Sequence, residues 1–199
     1  IENKPSYKNI EIEGIWKNKT YKSSVKSEKR RFIPLCYNAV IQSILHKTVD
    51  NAELRKFEVQ TTSDLHKYTK KKFISSTRDD TFKYKLIHTP KQTVWSSRPH
   101  KFQEGYKVFI STTSYYSTFV DNCGMTQSIA FIRCKDEEEA NRVSKVLNHP
   151  MYKFINDICR YGNFNNIRVL QKFPFCTDEK KVYEKFGITE EEIKFITEN

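Results

Sequence analysis

Three short clusters carry the chain's polar chemistry. Thr112, Thr113 and Ser114 lead into Tyr115 and Tyr116, Thr126 and Gln127 follow a glycine, and Asn163, Asn165 and Asn166 flank a phenylalanine. Short hydroxyls suit phosphate oxygens and base edges, and an Asn or Gln amide matches the donor–acceptor edge of adenine, as Arg matches guanine. Arg98, Lys101, Lys107 and Lys172 stand along the same stretch as candidate phosphate neutralisers, with His100 among them. Each residue also has a plain reading. Tyr115 and Tyr116 either stack on a base, or fill the gap left by an extruded one, or pack within the loop. The three asparagines either touch bases or serve as turn residues, because Asn tolerates left-handed backbone. Thr126 and Gln127 either bind or cap a strand.

Other chemistries find less material. The five glycines are isolated and no two prolines are adjacent. The sequence therefore has no glycine-rich phosphate loop and no Asn/Asp-Pro-Pro-aromatic loop to hold a flipped base. The five histidines show no ligand spacing, and no cysteine pair is spaced CxxC. A zinc site and a disulfide framework are not expected, and the five cysteines read as reduced thiols. A metal nuclease would need an Asp followed at a distance by Asp/Glu-x-Lys. Glu179-Lys180-Lys181, with Asp157 or Asp178 as first acidic partner, is the nearest approach. It supports, as an alternative, a small magnesium-dependent endonuclease.

Charge narrows the class of partner. Residues 1–110 hold 23 Lys and Arg against 11 Asp and Glu, a net of +12, and residues 111–199 hold 12 against 13, a net of −1. A basic half is the footprint expected of a polyanion partner, although a lysine-rich solvated surface gives the same count. Lys70, Lys71 and Lys72 are consecutive and read first as a solvated loop, then as phosphate contacts. No apolar run reaches the roughly 18 residues a membrane span needs, and no signal-peptide pattern opens the chain. The expectation is a cytoplasmic protein with no membrane partner. The chain begins at Ile1 rather than Met, so either processing or, as the preferred reading, excision from a longer protein is expected.

The elements that must position these clusters follow from periodicity. Residues 1–31 read as an irregular or strand-bearing arm around Trp16. Apolar positions across 32–47 repeat at helical spacing, with Pro34 in the first turn. Residues 48–81 carry little signal. Strands are expected at 82–88, 106–111 and 127–134. Asp136 with Glu139, and Thr189 with Glu192, mark helix starts of the capping-box type. Pro150 opens another helix, Gly162 ends it, and residues 178–186 form a short helix stopped by Gly187. The sum is an α+β chain with a mixed small β-sheet core and C-terminal helices.

From about residue 80 onward the order of parts resembles a known family. Trp95-Ser96 precedes His100, and Lys107-Val108-Phe109-Ile110-Ser111 follows. A tyrosine-rich loop leads to Gly124-Met125-Thr126-Gln127-Ser128. An acidic helix ends on Val146-Leu147-Asn148. Tyr152-Lys153-Phe154-Ile155, Phe164-Asn165-Asn166 and Lys172-Phe173-Pro174 come next, and a closing helix after Thr189 completes the set. This series is similar to the target-recognition (TaqI-like specificity) domain of type II restriction–modification adenine-specific DNA methyltransferases. The resemblance implies a specificity domain over 80–199, preceded by a basic part of the recognition region over 1–79. It implies docking on double-stranded DNA to read a short site. Methyl transfer to adenine N6 would belong to a catalytic domain in the same parent chain or a partner subunit. That domain would carry S-adenosylmethionine, with no cofactor or metal in this chain. A third reading of the aromatics is a single-stranded nucleic-acid binder.

Overall fold

The computed structural model describes residues 8–27, 34–113, 115–160 and 162–198. The chain opens with a two-stranded antiparallel ribbon, β1 (Asn9–Trp16) and β2 (Lys19–Lys26), paired without a register slip. Lys17 and Asn18 close it with φ of 47° and 64°. Two consecutive left-handed residues make the turn whose twist matches the right-handed twist of the strands.

Helix α1 spans Ala39–Lys47. It starts later than periodicity suggests, because Asn38 caps it, its side chain accepting from the Ile41 amide at 2.8 Å. Pro34 lies outside the helix, and the Leu35 amide is drawn instead to the Ile158 carbonyl at 2.6 Å. Ile41, Ile44 and Leu45 are fully buried, each contributing roughly 2 kcal/mol of burial.

Two sheets stack on each other. The first has the order β3 (Ile74–Ser75), β5 (Gln92–Ser96), β4 (Tyr84–Thr89), β8 (Gly124–Met125), with β8 parallel to β4 and the other pairs antiparallel. The second has the order β7 (Thr118–Asp121), β6 (Lys107–Ser111), β9 (Ile129–Arg133), all antiparallel. Strands β3, β5, β7 and β8 are additions to the expected set.

Strand β6 is buried at every position, which is why it reads as a continuous apolar run rather than an alternation. Its Val108 and Ile110, with Ala130 and Ile132 of β9, join the helical core. Its Phe109 faces the other way and packs with Phe131, Ile129, Met125 and Ile87. The three-stranded sheet is thus the middle layer, between the helices and the four-stranded sheet.

The helical layer comprises α2 (Glu137–Leu147), α3 (Pro150–Cys159), α4 (Ile167–Leu170), α5 (Val182–Lys185) and α6 (Glu190–Glu198). The caps expected at Asp136, Thr189 and Gly187 form, whereas α3 ends at Cys159 on an extended Arg160, before Gly162 is reached. Asp136 accepts from the Glu139 amide at 2.8 Å, while Glu139 reaches back to the Lys135 amide at 2.7 Å, one residue earlier than in the usual box. Thr189 and Glu192 form the reciprocal box, at 2.7 and 3.3 Å. Gly187, with φ of 60°, lets the Ile188 amide return to the Tyr183 carbonyl at 2.9 Å and close α5. The fold is α+β. Its main core mixes Cys36, Ile41, Phe57 and Val59 with Val108, Tyr152 and Phe173, so it crosses position 79.

Candidate functional site

An open cleft of about 500 Å³ lies where four separate loops meet. Thr61, Thr62 and Ser63 form one wall. Thr112 and Thr113, at the end of β6, form the next. Gln127 and Ser128 come from the turn before β9, and Phe164, Asn165 and Ile167 from the loop into α4.

Backbone bridges bring these loops together. Gln60 and Phe131 exchange both amide bonds at 2.9 Å, which lays residues 61–63 alongside the turn before β9. Thr113 bridges to Phe164, and the Asn165 amide donates to the Thr112 carbonyl at 3.0 Å. Asn165 is the clamp. Buried to 4% exposure, its side-chain amide donates to the Ser111 carbonyl at 2.8 Å and its oxygen accepts from Asn156 at 3.0 Å. Thr112 donates its hydroxyl to the Ser128 carbonyl at 2.7 Å. Gln127 accepts from the Lys67 amide at 2.9 Å, and its own NH2 has no partner among the described residues. Phe164 is 66% exposed at the cleft and Tyr115 87% exposed beyond β6.

The cleft therefore unites Thr112, Thr113, Gln127 and Asn165 of the expected set. Asn166 stands beside it and caps α4, accepting from the Arg168 amide at 3.0 Å. Asn163 is exposed next to Gly162, whose φ is 60°. Lys101 is exposed above the Phe102 ring at 4.9 Å. Lys172 is half-buried. Burial, then the charge of Lys172, lowers the pKa of Lys56 to about 8. Ser114 lies outside the described residues.

Other expected contacts are occupied inside the fold. Lys107 is 1% exposed, because its ammonium donates to the Glu104 carbonyl at 2.9 Å and to the Gly105 carbonyl. It has no reach to a phosphate, and burial lowers its pKa. Tyr116 donates its hydroxyl to the Leu147 carbonyl at 3.0 Å and packs its ring on Phe173, so it is a packing tyrosine. Thr126 is fully buried against His88, oxygen to Nδ1 at 2.6 Å. Arg98 is held by Asp64 at 2.8 Å, and its guanidinium lies over Phe73 at 5.5 Å. The last three are each bonded to a group far away in sequence.

His100 is the closest approach to a catalytic group. Its ring stands 3.3 Å from the Thr62 hydroxyl and 3.8 Å from Asp64. Yet its Nδ1 accepts from the Phe102 amide at 2.9 Å, so in the neutral ring the proton sits on Nε2. That nitrogen donates to Thr62 and cannot take its proton. Burial lowers the pKa of His100 to about 4, against the opposing pull of Asp64. Glu179–Lys181 forms an exposed 3-10 turn capped by Asp178. Among the described residues, no group of three or more His, Cys, Asp or Glu is placed to hold a metal ion.

Residues 61–63, Ser128, Phe164 and Ile167 line the cleft without having been expected there. The consecutive hydroxyls at 61–63 are the available signal, within a stretch that shows no periodicity. Among the described residues no helix is long and apolar enough to cross a membrane. No protein-family model, curated protein or solved structure matches the chain.

Proposed function

We propose that this chain is a sequence-specific double-stranded DNA recognition module, and that the cleft is where it reads the nucleic acid. The observation that carries the reading is the convergence of hydroxyls and the Gln127 amide from three loops, with the exposed Phe164 ring from the fourth, on one open surface. Hydroxyls and amides pair with phosphate oxygens and base edges in water-accessible interfaces. The excess of Lys and Arg supplies the attraction such a partner needs. The ordered motifs of residues 80–199 support a role as the target-recognition part of an adenine-N6 methyltransferase. Methyl transfer, with S-adenosylmethionine, is then assigned to a catalytic domain of the parent chain or a partner subunit.

Selection from a randomised duplex library tests this. The wild-type chain should enrich one short site. Gln127→Ala should weaken that preference by roughly tenfold, the weight of about 1–3 kcal/mol per base contact. Equal affinity for selected and random duplexes would overturn the sequence-specific reading. The exposed rings of Phe164 and Tyr115 favour a second reading, stacking on unpaired bases. Competition between single-stranded and duplex probes of one sequence decides between the two.

A further inference from the structure

The structure points to a second nucleic-acid contact: we propose that one end of the four-stranded sheet is a basic platform that grips the sugar–phosphate backbone of a strand engaged in the cleft. This deepens the nucleic-acid reading above and rests on it.

The register of the sheet carries the argument. Ile74 stands opposite Ser96, which stands opposite Tyr84; Ser75 stands opposite Trp95, which stands opposite Lys85. The start of β3, the start of β4 and the end of β5 therefore share one end of the sheet. The cations that flank those termini gather there. Lys72 sits over Phe73 at 4.9 Å, with Arg98 over the same ring. Arg78 lies over Trp95 at 5.2 Å, and Lys83 over Tyr84 at 5.6 Å. Lys70 and Lys71, both exposed, lead into the 3-10 turn before β3.

Lys72, Arg78 and Lys83 rest on rings rather than on carboxylates. Among the described residues Lys70, Lys71, Lys72, Arg78 and Lys83 form no ion pair. The carboxylates at this end are few. Asp64 is committed to Arg98, and Asp79 accepts from the Thr81 and Phe82 amides in its own turn. Asp80 is exposed. Lys85 is neutralised by Asp121. A cation over an aromatic face keeps its full charge while its side chain is partly ordered. An arriving phosphate therefore meets charges that need little further ordering.

The platform is continuous with the cleft. Residues 61–63 line the cleft, Leu65 is buried beneath the sheet with Leu86 and Val94, and Lys67 binds the cleft residue Gln127. Lys70, Lys71 and Lys72 follow at once. One loop thus runs from the cleft wall to the basic end of the sheet.

The test is the salt dependence of duplex binding by the full chain, with Lys70, Lys71 and Lys72 all changed to Gln. Removing one phosphate interaction lowers the slope of log affinity against log salt by about 0.9. We expect the slope to fall by about 2 to 3, with weakening that is uniform across sequences and an unchanged site preference. A second variant, Arg78→Gln with Lys83→Gln, draws on other loops, and it should lower the slope by about 2. It keeps the test open if the first fails to fold. A wild-type chain that binds neither duplex nor single strand overturns the cleft reading itself. A wild-type chain that binds, with unchanged slopes in both variants, overturns the platform alone. Tighter binding to phosphatidylserine vesicles than to duplex assigns the basic end to membranes and also overturns it.

Discussion

Burial holds His100 neutral, and that has a measurable consequence for stability. The folded ring titrates at about 4 against an ordinary 6.5. Between those values only the unfolded chain binds the extra proton. Stability is therefore full above about pH 6.5 and is lost as the pH falls towards 4, by up to about 3 kcal/mol. Burial lowers His88 and His149 in the same sense. The melting temperature should drop across that window, and His100→Gln should remove part of the drop. An identical pH profile in the variant would show that another group titrates. The types of these residues are legible in the sequence, but their fates are not. Thr126 meets His88 and Thr62 meets His100 across 38 positions each. Nothing local announces such a partner, so hydroxyls that look free for a ligand are consumed by imidazoles.

At the scale of elements, β8 depends on a close approach. A Cβ on Gly124 would lie 2.7 Å from both the His100 Cβ and a Leu86 methyl, and 2.9 Å from the Gln103 oxygen. The His100 Cβ is fixed to its backbone and cannot yield cheaply, so Gly124→Ala should destabilise the chain by about 1–3 kcal/mol, measured by denaturant unfolding. An unchanged midpoint would show that the parallel β4–β8 contact is dispensable. The helices after residue 135 are legible because their caps are local signals: Asp136, Thr189 and Gly187 each act within a few residues. Strand β6 is legible because both its faces are covered. Strands β5 and β7 are not. QTVWS and TFVD are short and partly polar, and they are strands because β4 and β6 offer them edges. The start of α1 departs from periodicity for a related reason, since a tertiary bond from Leu35 to Ile158 competes with helix formation there.

The whole molecule is held by a core that ignores the division at residue 79. Cys36, Ile41, Ile44, Leu45, Val49, Phe57 and Val59 are buried in the cluster that also contains α2 and α3. Their combined burial is worth on the order of 10 kcal/mol, as much as the whole net stability of a typical domain. A fragment of residues 80–199 should therefore remain unfolded, as far- and near-ultraviolet circular dichroism would report. A cooperative melt in that fragment would show that it folds independently. The α+β class can be read from central apolar runs followed by capped helices, whereas the cleft cannot, because it is made of loops joined by backbone bridges. The chain's two tryptophans are Trp16, in the N-terminal ribbon, and Trp95, which lies beneath the guanidinium of Arg78. Indole emission responds to charge and water near the ring. The chain thus carries its own optical label at the basic end of the sheet, and none in the cleft.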